Sequence, residues 1–251
     1  MRDIAKLLFV TLIATAAPAQ AAPLEKPVSI VLVHGAFVDG SGWKSVYDAL
    51  SKEGYEVLVV QNPTLTLEGD AEATRQVIAR AKHPVVLVGH SYGGAVITQA
   101  GDDPKVKSLA YIAAFAPDVG ESVSDLASKP HPGEDAAPLL PPADGFLLVD
   151  PIKFPTAFAA DVDGSTTRFM AASQVPWGLG AVGFKLTKAA WKNKPAHYML
   201  TLQDHMVPPS GQRMMATRAK AKLVEIPSSH AVMLSHPQKV VAFIEGAAQE
   251  K

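Results

Sequence analysis

The sequence predicts an α/β domain in which a mostly parallel sheet carries helices on both faces. Three observations predict it: short continuous apolar runs recur along the chain, amphipathic segments separate them, and glycine turns stand where a strand hands over to a helix. The runs are VSIVLV at 28–33, EVLVV at 56–60, PVVLVG at 84–89, VKSLAYIAA at 106–114, AHYMLTL at 196–202 and KLVEI at 222–226. Continuous rather than alternating apolarity suits strands buried on both faces.

Between the first two runs, SGWKSVYDALSKEG places Trp43, Val46, Tyr47 and Leu50 at i, i+3, i+4 and i+7, one face of a helix, with Gly54 set to end it. Strand and helix in alternation mean a parallel sheet. The alternation breaks between Pro117 and Pro195, where ten prolines gather. A structureless loop of that length is out of place in a compact domain, so a cap insertion of about 117–195 is expected. Short helices are expected at 154–160 and 164–173, and a small hairpin near GFLLVD. Phe146, Phe154, Phe158, Phe169, Met170, Trp177 and Phe184 either line an apolar pocket under this cap or form the cap's own core.

The composition bounds the partners. The 251 residues are 48% hydrophobic and 19% charged, enough to bury one substantial core. With 23 basic against 24 acidic residues, spread along the chain, there is no electrostatic footprint for nucleic acid or an anionic membrane. The expected partner is a small molecule, and nothing in the sequence sets an oligomeric state. The absence of cysteine removes disulfides, thiolate metal sites, cysteine nucleophiles and lipoprotein acylation together.

At the N-terminus Arg2 and Lys6 precede an apolar stretch from Leu7 to Ala17, and Ala19-Gln20-Ala21 supplies a small-x-small cleavage pattern. The stretch is shorter than the roughly 20 residues of a spanning helix. Residues 1–21 are therefore expected to be a removed export signal, with 22–251 a periplasmic or secreted domain that keeps no stable membrane insertion.

Chemistry enters at VVLVGHSYGGAVITQ, where Gly89-His90-Ser91-Tyr92-Gly93 closes a buried strand and opens a helix. So sharp a turn exposes the serine Oγ, and Gly89, Gly93 and Gly94 spare it side-chain collisions. A serine hydroxyl needs a histidine to take its proton and a carboxylate to hold that histidine's tautomer. Of the eight histidines, His230 follows the last strand in KLVEIPSSH, at the sheet end where open parallel sheets gather their functional groups. His34 and His90 sit inside motif turns and are expected to be structural. For the acid, Asp204 follows AHYMLTLQ, one strand earlier; Asp118, after VKSLAYIAAFAP, is the rival. Acyl transfer also requires N–H donors for a developing oxyanion. The amide of Tyr92 is one, and an amide in VLVHGAF is the other, Ala36 first and Phe37 second.

Taken together, VLVHGAFVDGSGW, VVLVGHSYGGAVI, AYIAAFAPDVGES, TLQDHMVPP and IPSSHAVMLSHP resemble the α/β-hydrolase superfamily over residues 28–248, in particular its esterase-like branch with plant methylesterases and hydroxynitrile lyases. The resemblance implies an α/β-hydrolase fold, a Ser91, Asp204, His230 triad, an oxyanion hole at Ala36 and Tyr92, and no cofactor or metal. It also implies a carboxylesterase-type serine hydrolase acting on a small-molecule ester. The lyases of this branch carry a lysine after the histidine and a threonine after the first motif histidine, where this chain has Ala231 and Gly35. Dehalogenases replace the serine with aspartate, which Ser91 excludes. Hydroxynitrile-lyase-like activity, perhydrolase activity and non-catalytic ligand binding stand as the alternatives on the same scaffold.

Overall fold

The computed structural model describes residues 26–250; the expected export signal at 1–21 lies outside them. In chain order the elements begin β1 (Ser29–Val33), α1 (Lys44–Lys52), β2 (Glu56–Val60), α2 (Leu67–Arg80), β3 (Val85–His90), α3 (Gly93–Ala100), β4 (Val106–Ile112) and α4 (Val123–Ala127). They continue with β5 (Phe146–Leu147), α5 (Phe154–Phe158), α6 (Gly164–Ala172), β6 (Trp177–Gly178) and α7 (Leu179–Val182). The last are β7 (Ala196–Thr201), α8 (Pro209–Arg218), β8 (Lys222–Ile226), α9 (Val232–Ser235) and α10 (Pro237–Ala248).

All six expected strands form. They pair in parallel throughout, in the order β2-β1-β3-β4-β7-β8. The order reverses between β1 and β3: β2 lies on one side of β1, while β3 and everything after it extend on the other. The chain leaving β1 accordingly runs to the face covered by α1 and the chain leaving β3 to the face covered by α3, which makes the ends of these two strands the switch point of the sheet.

Because successive side chains point to opposite faces, each central strand feeds two cores. Val31, Val33, Leu87 and Tyr111 pack on the face covered by α2, α3 and α8. Ile30, Leu32, Val86, Val88 and Ile112 pack on the other, with Val46 and Leu50 of α1 and Val240 and Ile244 of α10. Complete burial of each such aliphatic side chain contributes about 1.5–3 kcal/mol. Burial on both faces holds for β1, β3, β4 and β7 but not at the edges: Leu223 and Val224 of β8 are exposed, and β2 is largely half-buried. An edge strand has a neighbour on one side only, and here the helices cover it incompletely. Tyr47 is likewise exposed, whereas Trp43, Val46 and Leu50 are buried.

The segment between β4 and β7 leaves the sheet and folds over the C-terminal ends of its strands. Its helices α5 and α6 lie within the ranges expected from sequence. The hairpin near GFLLVD turns on Asp144 and Gly145, both at positive φ (+51° and +86°), with Ala143 and Phe146 exchanging hydrogen bonds of 3.0 and 2.9 Å. Two central residues at positive φ match the twist of a two-residue hairpin. The cap is tied down by Gly178 N–H to the Thr64 carbonyl (2.8 Å) and Val175 N–H to the Phe37 carbonyl (3.3 Å). Among the described residues no helix is long and apolar enough to cross a membrane, and no group of three or more His, Asp or Glu is placed to hold a metal ion.

Candidate active site

Ser91 sits at the corner between β3 and α3 with φ at +55°, a left-handed conformation that a residue with a Cβ adopts at a cost on the order of 1–3 kcal/mol. The corner is held by Ser91 N–H to the Ile112 carbonyl (3.2 Å), and by Phe115 N–H (3.1 Å) and Gly94 N–H (3.0 Å) to the Ser91 carbonyl. The approach is close enough that a Cβ on Gly93 would lie 2.6 Å from the Val33 carbonyl oxygen. From the turn after β1, a Cβ on Gly35 would lie 2.6 Å from Ser91 Cβ. The turn after β1 and the serine after β3 are therefore in direct contact across the switch point.

The carbonyls that precede the two expected amides are both engaged away from this contact. In a trans peptide the carbonyl and the following N–H point in opposite directions. The Gly35 carbonyl accepts from His34 Nδ1 (2.8 Å), which turns Ala36 N–H away from the His34 ring. The Ser91 carbonyl is engaged by Gly94 and Phe115, which turns Tyr92 N–H to the opposite side. Among the described residues neither N–H has a protein acceptor. His34 is fixed in one tautomer, since its Nε2 accepts from Asn62 N–H (2.8 Å) and Nδ1 must then be the donor. Burial lowers its pKa and keeps it neutral. Tyr92 is anchored through its side chain, whose hydroxyl donates to Asp70 Oδ2 (2.5 Å) on α2; burial first, and then the Asp70 charge, push that phenol well above its ordinary range.

Asp204 and His230 come together across adjacent strand ends, with His230 Nδ1 2.8 Å from Asp204 Oδ2 and both side chains completely buried. Asp204 is the most heavily donated carboxylate of the site. Oδ2 also accepts from Thr201 Oγ1 (2.8 Å) and Gln212 Nε2 (2.9 Å), and Oδ1 from the amides of Met206 (2.8 Å) and Val207 (2.9 Å). With Nδ1–H given to Asp204, His230 Nε2 carries the free lone pair, and it is buried without a hydrogen-bond partner. Ser91 is not hydrogen-bonded to it in this structure. The two are linked through His90, which precedes Ser91 in the chain and packs its ring 4.5 Å from that of His230.

The rival acid lies elsewhere: Asp118 pairs with Lys192 (2.5 Å) and accepts from Val119 N–H (2.6 Å), with no contact to His230. His131 is occupied with Ser210 and His197 with Glu250. His90, expected to be structural, donates Nε2–H to the His230 carbonyl (2.9 Å). Burial, and secondarily the adjacent His230, hold its pKa well below the ordinary value, so it is neutral.

The cap closes the site from above. Phe158 stands edge-on to His230 with centroids 4.8 Å apart and stacks on Phe154 at 4.7 Å. Trp177 packs 5.2 Å from Tyr92 and 5.5 Å from Phe37. Ser91 is consequently only 8% exposed. Of the cap aromatics, Phe154, Phe158 and Trp177 are buried against this floor, and Phe169 is largely in solvent. A cavity of about 290 Å³ lies beside Phe115, walled by Leu126, Met206, Val207, Met214 and Met215 together with the polar Lys129, His131, Glu134 and Asp135. Sequence patterning did not reveal Gln212, Asp70 or Asp161 as parts of this assembly. Each is a lone polar residue on a helix or loop, and no local spacing announces its distant partner.

Comparison with known proteins agrees with this fold. A model of the alpha/beta hydrolase family matches residues 30–243. The chain is 37% identical over 123 residues to a carbendazim hydrolyzing esterase of Nocardioides sp. strain SG-4G, a match spanning 43% of this chain and only 51% of that protein. It is 26% identical over 245 residues to a pyrethroid hydrolase of Sphingobium wenxiniae, covering 86% of this chain and 85% of the relative. Among solved structures, a pyrethroid hydrolase from Sphingobium faniae JZ-2 superposes with a TM-score of 0.76 at 23% identity, over 89% of this chain and 100% of that one. Polyneuridine aldehyde esterase gives the same TM-score at 18% identity, over 89% and 100%. The match to the family model covers most of the chain, and the chain belongs to the alpha/beta hydrolase family.

Proposed function

We propose that the protein is a serine carboxylic-ester hydrolase that works through an acyl-enzyme on a small ester. The observation that carries the reading is the buried Asp204–His230 pair, whose unpaired Nε2 belongs to the same packed unit as the strained Ser91 corner. In this reading Ser91 Oγ attacks the ester carbonyl while His230 Nε2 takes its proton. The oxyanion is received by the amides of Ala36 and Tyr92. His230 returns the proton to the departing alcohol, then activates the water that releases the acid and restores Ser91. Asp204 stabilises the imidazolium and fixes the Nδ1–H tautomer throughout. No metal or organic cofactor is needed for any step. The names of the relatives, an esterase and a pyrethroid hydrolase, support hydrolysis of an ester-like bond, and the Met-lined cavity beside Phe115 is the proposed seat of the apolar part of the substrate.

The test is turnover of p-nitrophenyl acetate by the wild type and Ser91→Ala, together with labelling by a fluorophosphonate probe. Turnover and labelling lost in Ser91→Ala are expected; turnover retained in the variant would overturn the assignment. An unlabelled, inactive wild type would favour a binding protein. We also propose export with removal of residues 1–21, in which case the N-terminal sequence of the protein recovered from the periplasm or medium begins at Ala22.

A further inference from the structure

His230 has farther to reach than either of its expected partners. It follows β8, and Ser91 follows β3; with β4 and β7 between them, three inter-strand steps separate the two strand ends, roughly 14 Å. A loop that must carry a proton-transferring imidazole over such a span needs to be held, and the cap holds it. Asp161, in the turn between α5 and α6, accepts from Ser228 Oγ (2.8 Å) and Ser229 N–H (3.1 Å) through Oδ2, and from Ser229 Oγ through Oδ1. Three residues earlier, the Phe158 carbonyl accepts from Ala231 N–H (3.0 Å). The backbone is therefore gripped on both sides of His230 by one short stretch of cap, and Phe158 lays its ring edge against the imidazole between the two grips.

We propose that Asp161 is a positioning residue: it clamps the 228–229 segment so that the cap, and not the sheet alone, sets where His230 presents Nε2. The proposal rests on the reading of His230 as the general base. It makes the seating of the cap and the placement of the base one event, since the turn that roofs the site also aims the imidazole. Asp161 touches no reacting atom and acts only through the loop. Burial works to raise its pKa, but the hydrogen bonds from Ser229, Ser228 and Ser235 outweigh burial and hold it below the ordinary carboxylate value, in keeping with an acceptor-only clamp.

Asp161→Asn puts an amide NH2 where serine donors need an acceptor, and Ser229→Ala is the milder variant that removes one strand of the clamp and leaves Asp161 intact. Both are made in the full chain, in the wild-type background and in His230→Ala. With p-nitrophenyl acetate, kcat is expected to fall about 10- to 100-fold in Asp161→Asn, the scale of an ångström-sized misplacement, and severalfold in Ser229→Ala. KM should stay within twofold in each. In His230→Ala, where there is no imidazole left to aim, neither change should move the residual rate. A wild-type kcat in both variants, or an equal loss in the His230→Ala background, would overturn the proposal. The low-field proton resonance of His230 Nδ1–H supplies a readout independent of turnover: it should shift or broaden in the folded variants, and an unchanged line would overturn the proposal. If the wild type turns over no ester while the resonance responds, the esterase reading falls and the clamp stands.

Discussion

His90 and His230 are joined ring to backbone: His90 Nε2 donates to the main-chain carbonyl of His230 at 2.9 Å, with the two rings 4.5 Å apart. The contact ties the residue before the expected nucleophile to the expected base across 140 positions of sequence. Truncation in His90→Ala leaves that carbonyl buried without a donor and opens a cavity in the floor of the site. Unfolding by urea should register a loss of about 2–4 kcal/mol, accompanied by a fall in kcat.

The two aspartates considered for the acid role should separate cleanly. In Asp204→Asn the amide is left to face donors on both of its sides and no longer fixes the His230 tautomer, so kcat should drop on the order of 10³- to 10⁴-fold. Asp118→Asn, which loses only a partly exposed pair with Lys192, should stay within twofold of wild type. Steady-state kinetics on both variants decides the matter.

Gly35→Ala should damage activity more than its size suggests. The new Cβ meets Ser91 Cβ at 2.6 Å and cannot be accommodated without moving the loop that presents the Ala36 amide. A loss of about 10²- to 10³-fold in kcat is expected, comparable to the loss of one oxyanion donor. Stability should fall by about 1–3 kcal/mol for the overpacking.

The clamp also has a pH signature. A carboxylate whose pKa is lower folded than unfolded adds stability above its unfolded value and loses it as pH falls through the folded one. Asp161 is of this kind; the nearest other titratable group is His236, whose Nδ1 is 3.7 Å away. The difference in Tm between wild type and Asp161→Asn should be present at pH 6 and shrink from about pH 4 downward. Melting curves at pH 6 and pH 3 measure it, and an equal gap at both would contradict the assignment.

Met214→Trp places an indole at the wall of the 290 Å³ cavity. Hydrolysis of long-chain p-nitrophenyl esters should fall at least tenfold relative to the acetate, read as a ratio of kcat/KM. An unchanged chain-length profile would locate the acyl group elsewhere.

The strands were legible because burial writes itself into composition: a strand with helices on both faces has no polar side to show, and runs such as VVLVG announce it. The Ser91 corner was legible because so tight a turn tolerates only small neighbours, which leaves glycines at fixed offsets. The same logic failed at the edges, where β8 is apolar in sequence yet exposed, since apolarity cannot report which strand lacks a neighbour. It marked His90 as structural but could not name its partner, because the ring nitrogen finds a backbone carbonyl rather than a recognisable partner type.

The amino-acid sequence alone determined the α/β class, the succession of strands and turns along the chain, and a short set of candidate residues for nucleophilic chemistry, because each depends on local periodicity or on backbone sterics within a few positions. Tertiary structure decided the rest. It paired His230 with Asp204 and not Asp118, closed the cap until Ser91 was nearly buried, and brought Asp161, Gln212 and Asp70 in from distant segments to hold the loops in place. Those contacts rest on hydrogen bonds between groups many residues apart, and their worth comes from burial that exists only once the sheet, the helices and the cap have packed together.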